Sequence, residues 1–231
     1  SRIKKFTNFK PKAFIKIDNK TLLEHQLEIY LKSGIEKIAI VTGYKNKLFN
    51  KYNLKKFNNN KWKSTNMVFS LTKAKSWLKS FNCIVSYSDI LFDKKIILDL
   101  LKSKTQLELP YNLNWKKNWK LRYKRPLEDL ETFKISKNNY VMEIGKKPKK
   151  YKDIEGQFMG IIKFTPKSWK KVNNYLNKIK SRNKNMQMTK LIDNLISNNV
   201  LKVKGTPSKS QWFEIDNLND YRVAKKFYKF D

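Results

Sequence analysis

Residues 83–89 read Cys83-Ile84-Val85-Ser86-Tyr87-Ser88-Asp89, an apolar run that ends in a hydroxyl and a carboxylate. A run this short and apolar fits a strand buried inside a sheet. An acid at the C-terminal end of such a strand enters the crevice where open α/β sheets bind ligands. The alternative is an Asp that caps the following turn. The arrangement recurs at Trp212-Phe213-Glu214-Ile215, which runs into Asp216-Asn217. Asp216 also has an alternative role, capping the last helix, which Asn217 can fill instead. Two acids from separate strands are the hard oxygen ligands that Mg²⁺ on a nucleoside triphosphate needs, with positions left for phosphate and water.

Outward from these two runs the chain alternates between helix and strand. Thr21-Leu22-Leu23-Glu24 is a capping box, Leu23, Leu27, Tyr30 and Leu31 follow at helical spacing, and Gly34 offers a left-handed stop. Ile38 to Val41 then reads as a buried parallel strand ending at Gly43. Asn66 caps a helix carrying Met67, Leu71, Ala74 and Leu78 on one face. From Gln106 to Phe164 the character changes to strands and loops, with Tyr140–Ile144 and Phe158–Phe164 the best strands. Thr165-Pro166 opens the next helix, and another runs from Met188 to Ile196. Val200–Lys204 and Trp212–Ile215 read as strands, and Asn217 caps a last helix toward Phe227. This alternation predicts one α/β domain over residues 1–231, with a largely parallel sheet covered on both faces.

The formal charge of +33 invites a nucleic-acid reading. Its distribution argues against one: only five of the 52 basic residues are arginines, and lysine is spread over nearly every element. A surface dedicated to reading phosphates favours the planar fork of Arg. No specific nucleic-acid partner is therefore expected. No apolar run approaches the ~18–20 residues that span a bilayer. Cys83 is the only cysteine, which fits a cytoplasmic location, and His25 is the only histidine, which excludes a site built on several.

The amino end supplies positive charge, with Lys4, Lys5, Lys10 and Lys12 around Pro11. Cations on a transferred phosphate stabilise charge that grows in an in-line transition state. Lys12 stands out because Pro11 fixes the backbone before it and an apolar strand, Ala13–Ile17, follows. Ser1-Arg2 with Phe9-Lys10-Pro11-Lys12-Ala13 looks like the end of a G-x-G-S-R loop and the P-K element of nucleotidyltransferases. Leu22-Leu23-Glu24-His25, Gly34-Ile35, Ile40-Val41-Thr42-Gly43-Tyr44, Thr65-Asn66-Met67-Val68, Ser86 to Ile90, Pro126-Leu127-Glu128-Asp129, Ile154-Glu155-Gly156-Gln157 and Glu214-Ile215-Asp216 continue that pattern in order. Together they resemble the bacterial sugar-phosphate and phosphocholine nucleotidyltransferases. They look closer still to the phosphoglutamine cytidylyltransferases of capsule phosphoramidate synthesis.

The resemblance implies a Rossmann-like, GT-A-like nucleotidyltransferase fold and Mg²⁺-dependent transfer of a nucleotidyl group with release of pyrophosphate. By position, Asp89 and Asp216 would hold Mg²⁺, and Arg2 and Lys12 would contact the triphosphate. Ser1, Asn66 and Ser88 would border the nucleotide. It further implies that the family's first strand and loop glycines lie ahead of Ser1. The acceptor is expected among Trp115, Trp119, Arg122 and Arg125, which precede Glu128, Asp129 and Glu131, with Glu155 entering the same crevice. Acids beside indole faces could hold a cationic acceptor, and Arg122 or Arg125 could hold a carboxylate or phosphate. A Trp-anchored loop with surface ion pairs is the plainer reading of the same residues. The expected reaction is transfer of CMP from CTP to a small phosphorylated or phosphonylated acceptor. A sugar-1-phosphate nucleotidyltransferase, or a non-catalytic basic binding protein on the same scaffold, are the alternatives.

Overall fold

The computed structural model describes residues 9–179 and 184–229. Its main sheet is built around the strand Leu107–Asn112, every residue of which is buried. One edge of this strand pairs in parallel with Lys204–Ser208. The other edge pairs antiparallel with Gln157–Phe158 near its end and Ile161–Phe164 near its start. Ile161–Phe164 also pairs antiparallel with Cys83–Ser86. Cys83–Ser86 and Leu107–Asn112 therefore run in the same direction and bring their C-terminal ends to one edge of the sheet. The chain leaving Cys83–Ser86 at that edge enters Ile90–Phe92, which pairs antiparallel with Trp212–Glu214.

The sheet is mixed and flanked by helices, but its parallel share is smaller than the sequence predicts. One pairing in the five-stranded sheet is parallel and three are antiparallel. The cause is the segment 157–164, which returns between two co-directional strands and so runs against both. The parallel strand predicted after Ile38 is present as Ala39–Thr42, paired with Lys55–Asn58.

The central strand contains Pro110, which has no N–H to give a ladder. The register explains how it is tolerated. Gln157 and Phe158 face Asn112 and Tyr111, while Lys163 and Phe164 face Glu108 and Leu107. Pro110 thus lies opposite the Met159–Gly160 interruption, where that edge makes no ladder pairing. Gly160 has φ +69°, and a Cβ there would lie 2.8 Å from the Tyr87 ring. Only glycine fits this bend.

Alternation along the strands sends side chains to two cores. Leu107, Leu109, Ile162 and Phe164 join Trp169, Leu191 and Ile192 from the helices Pro166–Ile179 and Met188–Ser197. Ile161 and Met159 join Ile96, Leu100, Trp119 and Trp212 on the opposite face. Two predicted strands are corrected. Ala13–Ile17 is a 3₁₀ turn, Lys12–Phe14, followed by a two-residue hairpin arm, because Asp18 and Asn19 adopt left-handed backbone and turn the chain at once. Leu201 and Val203 are buried, but the strand begins at Lys204 and continues through Thr206-Pro207-Ser208. Apolarity there marks burial, whereas pairing follows the backbone of the neighbouring strand.

Candidate active site

Three of the sequence candidates converge. The Lys12 Nζ donates to Asp89 Oδ2 at 2.7 Å and also to Asp216 Oδ1. Their side chains keep 25%, 19% and 27% exposure, so the cluster faces solvent while its backbone is held in the fold. Burial alone would lower the Lys12 pKa, but the charge of Asp89 and hydrogen bonds from both acids raise it above the ordinary range. Lys12 is therefore charged at neutral pH.

Each acid is fixed by its own neighbourhood. The turn bearing Asp89 is bracketed by Gln26, whose Nε2 donates to Tyr87 O at 2.9 Å and Ile90 O at 2.8 Å. Gln26 projects from the helix Leu22–Lys32, which opens with the predicted capping box between Thr21 and Glu24. The carbonyl of Asp89 accepts from Ile215 N at 2.9 Å, so the two acid-bearing segments are stitched to each other. Asp216 is held from behind: its N–H donates to Asp220 Oδ2 at 2.9 Å, and Asn217 N does so at 3.1 Å. Asn217 caps the helix Leu218–Phe227 with its side chain, which leaves the Asp216 carboxylate for Lys12.

The other nucleotide candidates are placed differently. Ser1 and Arg2 lie outside the described residues. Ser88 is exposed beside Asp89. Asn66 caps Met67–Leu71 by accepting from Met67 N at 2.8 Å, and its own N–H donates to Lys184 O at 2.7 Å.

The expected acceptor residues do not form one pocket. Trp115, Trp119 and Arg122 fall at i, i+4 and i+7 on the helix Trp115–Arg122, and that face is turned into the core. Trp115 stacks on Tyr151, and Trp119 stacks on Trp212 at 5.9 Å and donates to Asp129. Arg122 has a side chain only 2% exposed and is paired with Asp220 and Glu214, which leaves its carboxylate-binding edge unavailable to an acceptor. Arg125 and Glu128 pair with each other on the surface. Glu155 accepts from Ile135 N at 2.7 Å and is exposed. The inward heptad-like spacing of Trp115, Trp119 and Arg122 was the available signal for burial.

The residues around Tyr87 carry more. Burial first, and then the charges of Glu214, Glu131 and Asp89, raise the Tyr87 phenol pKa. Glu131 is half-buried, accepts from Thr189 Oγ1 at 3.3 Å, and has its carbonyl bound by the Gln157 side chain at 2.6 Å. Burial, reinforced by Asp129, raises its pKa. Glu214, two residues before Asp216, is pushed up to about 8 by burial and by the charge of Asp216, against the pull of Arg122. The folded state therefore keeps a proton on Glu214 that the unfolded chain gives up above 4.5. Stability attached to this group is present at low pH and lost as pH rises from 4.5 to about 8. Glu214→Gln is expected to flatten that decline in thermal melts across this range; an unchanged slope would show that other groups cause it.

The donor set fits a hard divalent cation. Asp89 Oδ2 and Asp216 Oδ1 both bond the Lys12 ammonium, so the two carboxylates lie close together and a cation would meet them through their other oxygens, beside Lys12. Among the described residues no group of three or more His, Cys, Asp or Glu side chains is arranged to hold a metal. Two carboxylates without a protein cage suit Mg²⁺, which keeps waters and substrate phosphates as its remaining ligands.

No helix among the described residues is long and apolar enough to cross a membrane. Residues 1–109 match the family described as a MobA-like NTP transferase domain. The chain is 32% identical to CTP:phosphoglutamine cytidylyltransferase of Campylobacter jejuni subsp. jejuni serotype O:2, over 96% of this chain and 94% of that protein. Among solved structures, the inositol-1-phosphate CTP transferase from T. maritima superposes with a TM-score of 0.74 at 19% identity, over 95% of this chain and 86% of that one. The CTP:phosphocholine cytidylyltransferase from Streptococcus pneumoniae superposes with a TM-score of 0.73 at 19% identity, over 99% and 94%. At such identities the two structures establish a shared fold. The Campylobacter relative, matched along nearly the whole of both chains, establishes more: this chain belongs to the nucleotidyltransferase family of the bacterial cytidylyltransferases.

Proposed function

We propose that the protein transfers CMP from CTP to a small phosphorylated or phosphonylated acceptor. The observation that carries this reading is Lys12 held between Asp89 and Asp216 at the sheet edge where the two co-directional strands end. CTP as the donor is supported by the nucleotide named for the Campylobacter relative. An acceptor oxygen attacks the α-phosphorus as the bond to the β-phosphate bridge breaks, and pyrophosphate leaves with the electron pair. An acceptor phosphate is already ionised near neutral pH, so no general base is required.

The chain's own contribution is alignment and charge. Lys12 has three N–H donors, two of which serve Asp89 and Asp216 and one of which remains for a phosphate oxygen. Asp89 and Asp216 would hold Mg²⁺, which when bound neutralises charge on the phosphates. Gln26, Ile215 and Asp220 fix the backbone of both acids, so little reorganisation is needed as charge develops. Glu131 and Asp89 near Tyr87 favour an acceptor that carries an ammonium group.

The test is pyrophosphate release with CTP, UTP or dTTP and Mg²⁺, against phosphocholine, phosphoglutamine, aminoethylphosphonate and sugar 1-phosphates. The expected result is acceptor-dependent turnover with CTP, highest with an amine-bearing acceptor. Turnover confined to UTP or dTTP with a sugar 1-phosphate would replace this reading with the sugar alternative. Pyrophosphate release with none of these pairs would favour a non-catalytic scaffold.

A further inference from the structure

A buried ion pair lies directly behind the reacting cluster. Arg122 Nε donates to Asp220 Oδ1 at 2.9 Å, and Nη2 donates to Asp220 Oδ2 at 3.2 Å and to Glu214 Oε2 at 3.3 Å. The side chains of Arg122 and Asp220 are 2% and 0% exposed. Asp220 Oδ2 also accepts the N–H groups of Asp216 and Asn217. One guanidinium therefore ties down residues on both sides of Asp216 in the chain, Glu214 before it and Asp220 after it. The plane of that guanidinium is itself set, because it lies over the rings of Trp119 at 4.8 Å and Tyr123 at 5.2 Å. Asn219 Nδ2 donates to the carbonyls of Leu121 and Arg122, which locks the two helices in register.

We propose that Arg122 and Asp220 are positioning residues that hold Asp216 in its reactive place. This rests on the reading of Lys12, Asp89 and Asp216 as the reacting centre. A purely structural tie between the helices Trp115–Arg122 and Leu218–Phe227 accounts for less of the geometry. A buried ion pair adds little net stability over apolar residues of the same volume. Asp220 binds the Asn217 amide as the reciprocal half of a helix-capping box, but the same oxygen also takes the Asp216 amide, which lies outside that box. The two-pronged geometry needs a planar fork, which Lys lacks, so charge alone does not replace Arg122. Removal of Arg122 would leave the Asp220 carboxylate, 0% exposed, without its guanidinium partner.

The experiment compares wild type, Arg122→Lys, Asp220→Asn and, as a control for lost stability, Trp169→Phe in the opposite core. Each is assayed for kcat, for KM of CTP and acceptor, for thermal melting, and for binding of Mn²⁺ alone by electron paramagnetic resonance. Arg122→Lys and Asp220→Asn are expected to lower kcat about tenfold or more with KM of the acceptor moved less than about threefold. The same two variants weaken Mn²⁺ binding about fivefold. Trp169→Phe changes neither reading below its melting temperature. Wild-type kcat and Mn²⁺ affinity in the folded variants would overturn the proposal, as would an equal loss in Trp169→Phe. A raised acceptor KM at unchanged kcat would overturn it by making Arg122 an acceptor contact. Should wild type turn over no substrate, the proposed reaction fails, and the Mn²⁺ comparison still decides the role of Arg122 and Asp220.

Discussion

Asp89→Asn is expected to lower kcat by about 10²–10³-fold while leaving the melting temperature within a few degrees of wild type. The two halves of this expectation come from different atoms of one residue. The carboxylate meets Lys12, and its charge is what the transition state loses. The fold instead uses the main chain: the Asp89 carbonyl accepts from Ile215 N, and Gln26 grips the carbonyls of Tyr87 and Ile90. Asn preserves the shape and the backbone. Pyrophosphate release and circular-dichroism melts on the same preparation check both halves. An unchanged kcat would remove Asp89 from the reacting centre, and a collapsed melt would make it a structural residue.

Lys12→Met is expected to lower kcat/KM by about 10²–10³-fold and also to lower the melting temperature. Loss of the ammonium leaves Asp89 and Asp216 facing each other without the cation that both now contact. The stability and activity effects can be separated in a double variant. Adding Asp89→Asn to Lys12→Met relieves the repulsion, so melting temperature recovers in part while activity does not. Recovery of activity in the double variant would mean that Lys12 acts only by neutralising Asp89, with no direct role toward the triphosphate.

The acid positions were legible because the signal was local. Cys83–Ser86 and Trp212–Glu214 are short, largely apolar strands, and each is followed closely by the acid that meets Lys12. The capping residues Thr21, Asn66 and Asn217 were legible for the same reason, since a cap acts within one helical turn. The central strand Leu107–Asn112 escaped because Glu108 and Pro110 break its apolar pattern. Glu108 is buried only through hydroxyls brought by Thr105 and Thr206, and Pro110 is tolerated only because of a bend fifty residues away in the chain. Lys55–Asn58 escaped because its residues are mostly exposed and its pairing depends on Ala39–Thr42. The aromatic and basic residues of Trp115–Arg122 suggested a binding surface from composition, whereas their spacing put them inside. Asp220 reads from sequence as an ordinary helix first-turn acid, and its bonds to the Asp216 and Asn217 amides are local to that turn; its pairing with Arg122 belongs to tertiary structure.

The reach of Lys12 to Asp216 spans 204 positions of sequence. The cluster is therefore closed by a contact of very long sequence separation. Contacts of such separation form late, after the loop entropy between them has been overcome by the intervening structure. The intact cluster is thus a marker that the segments bearing Lys12 and Asp216 have docked.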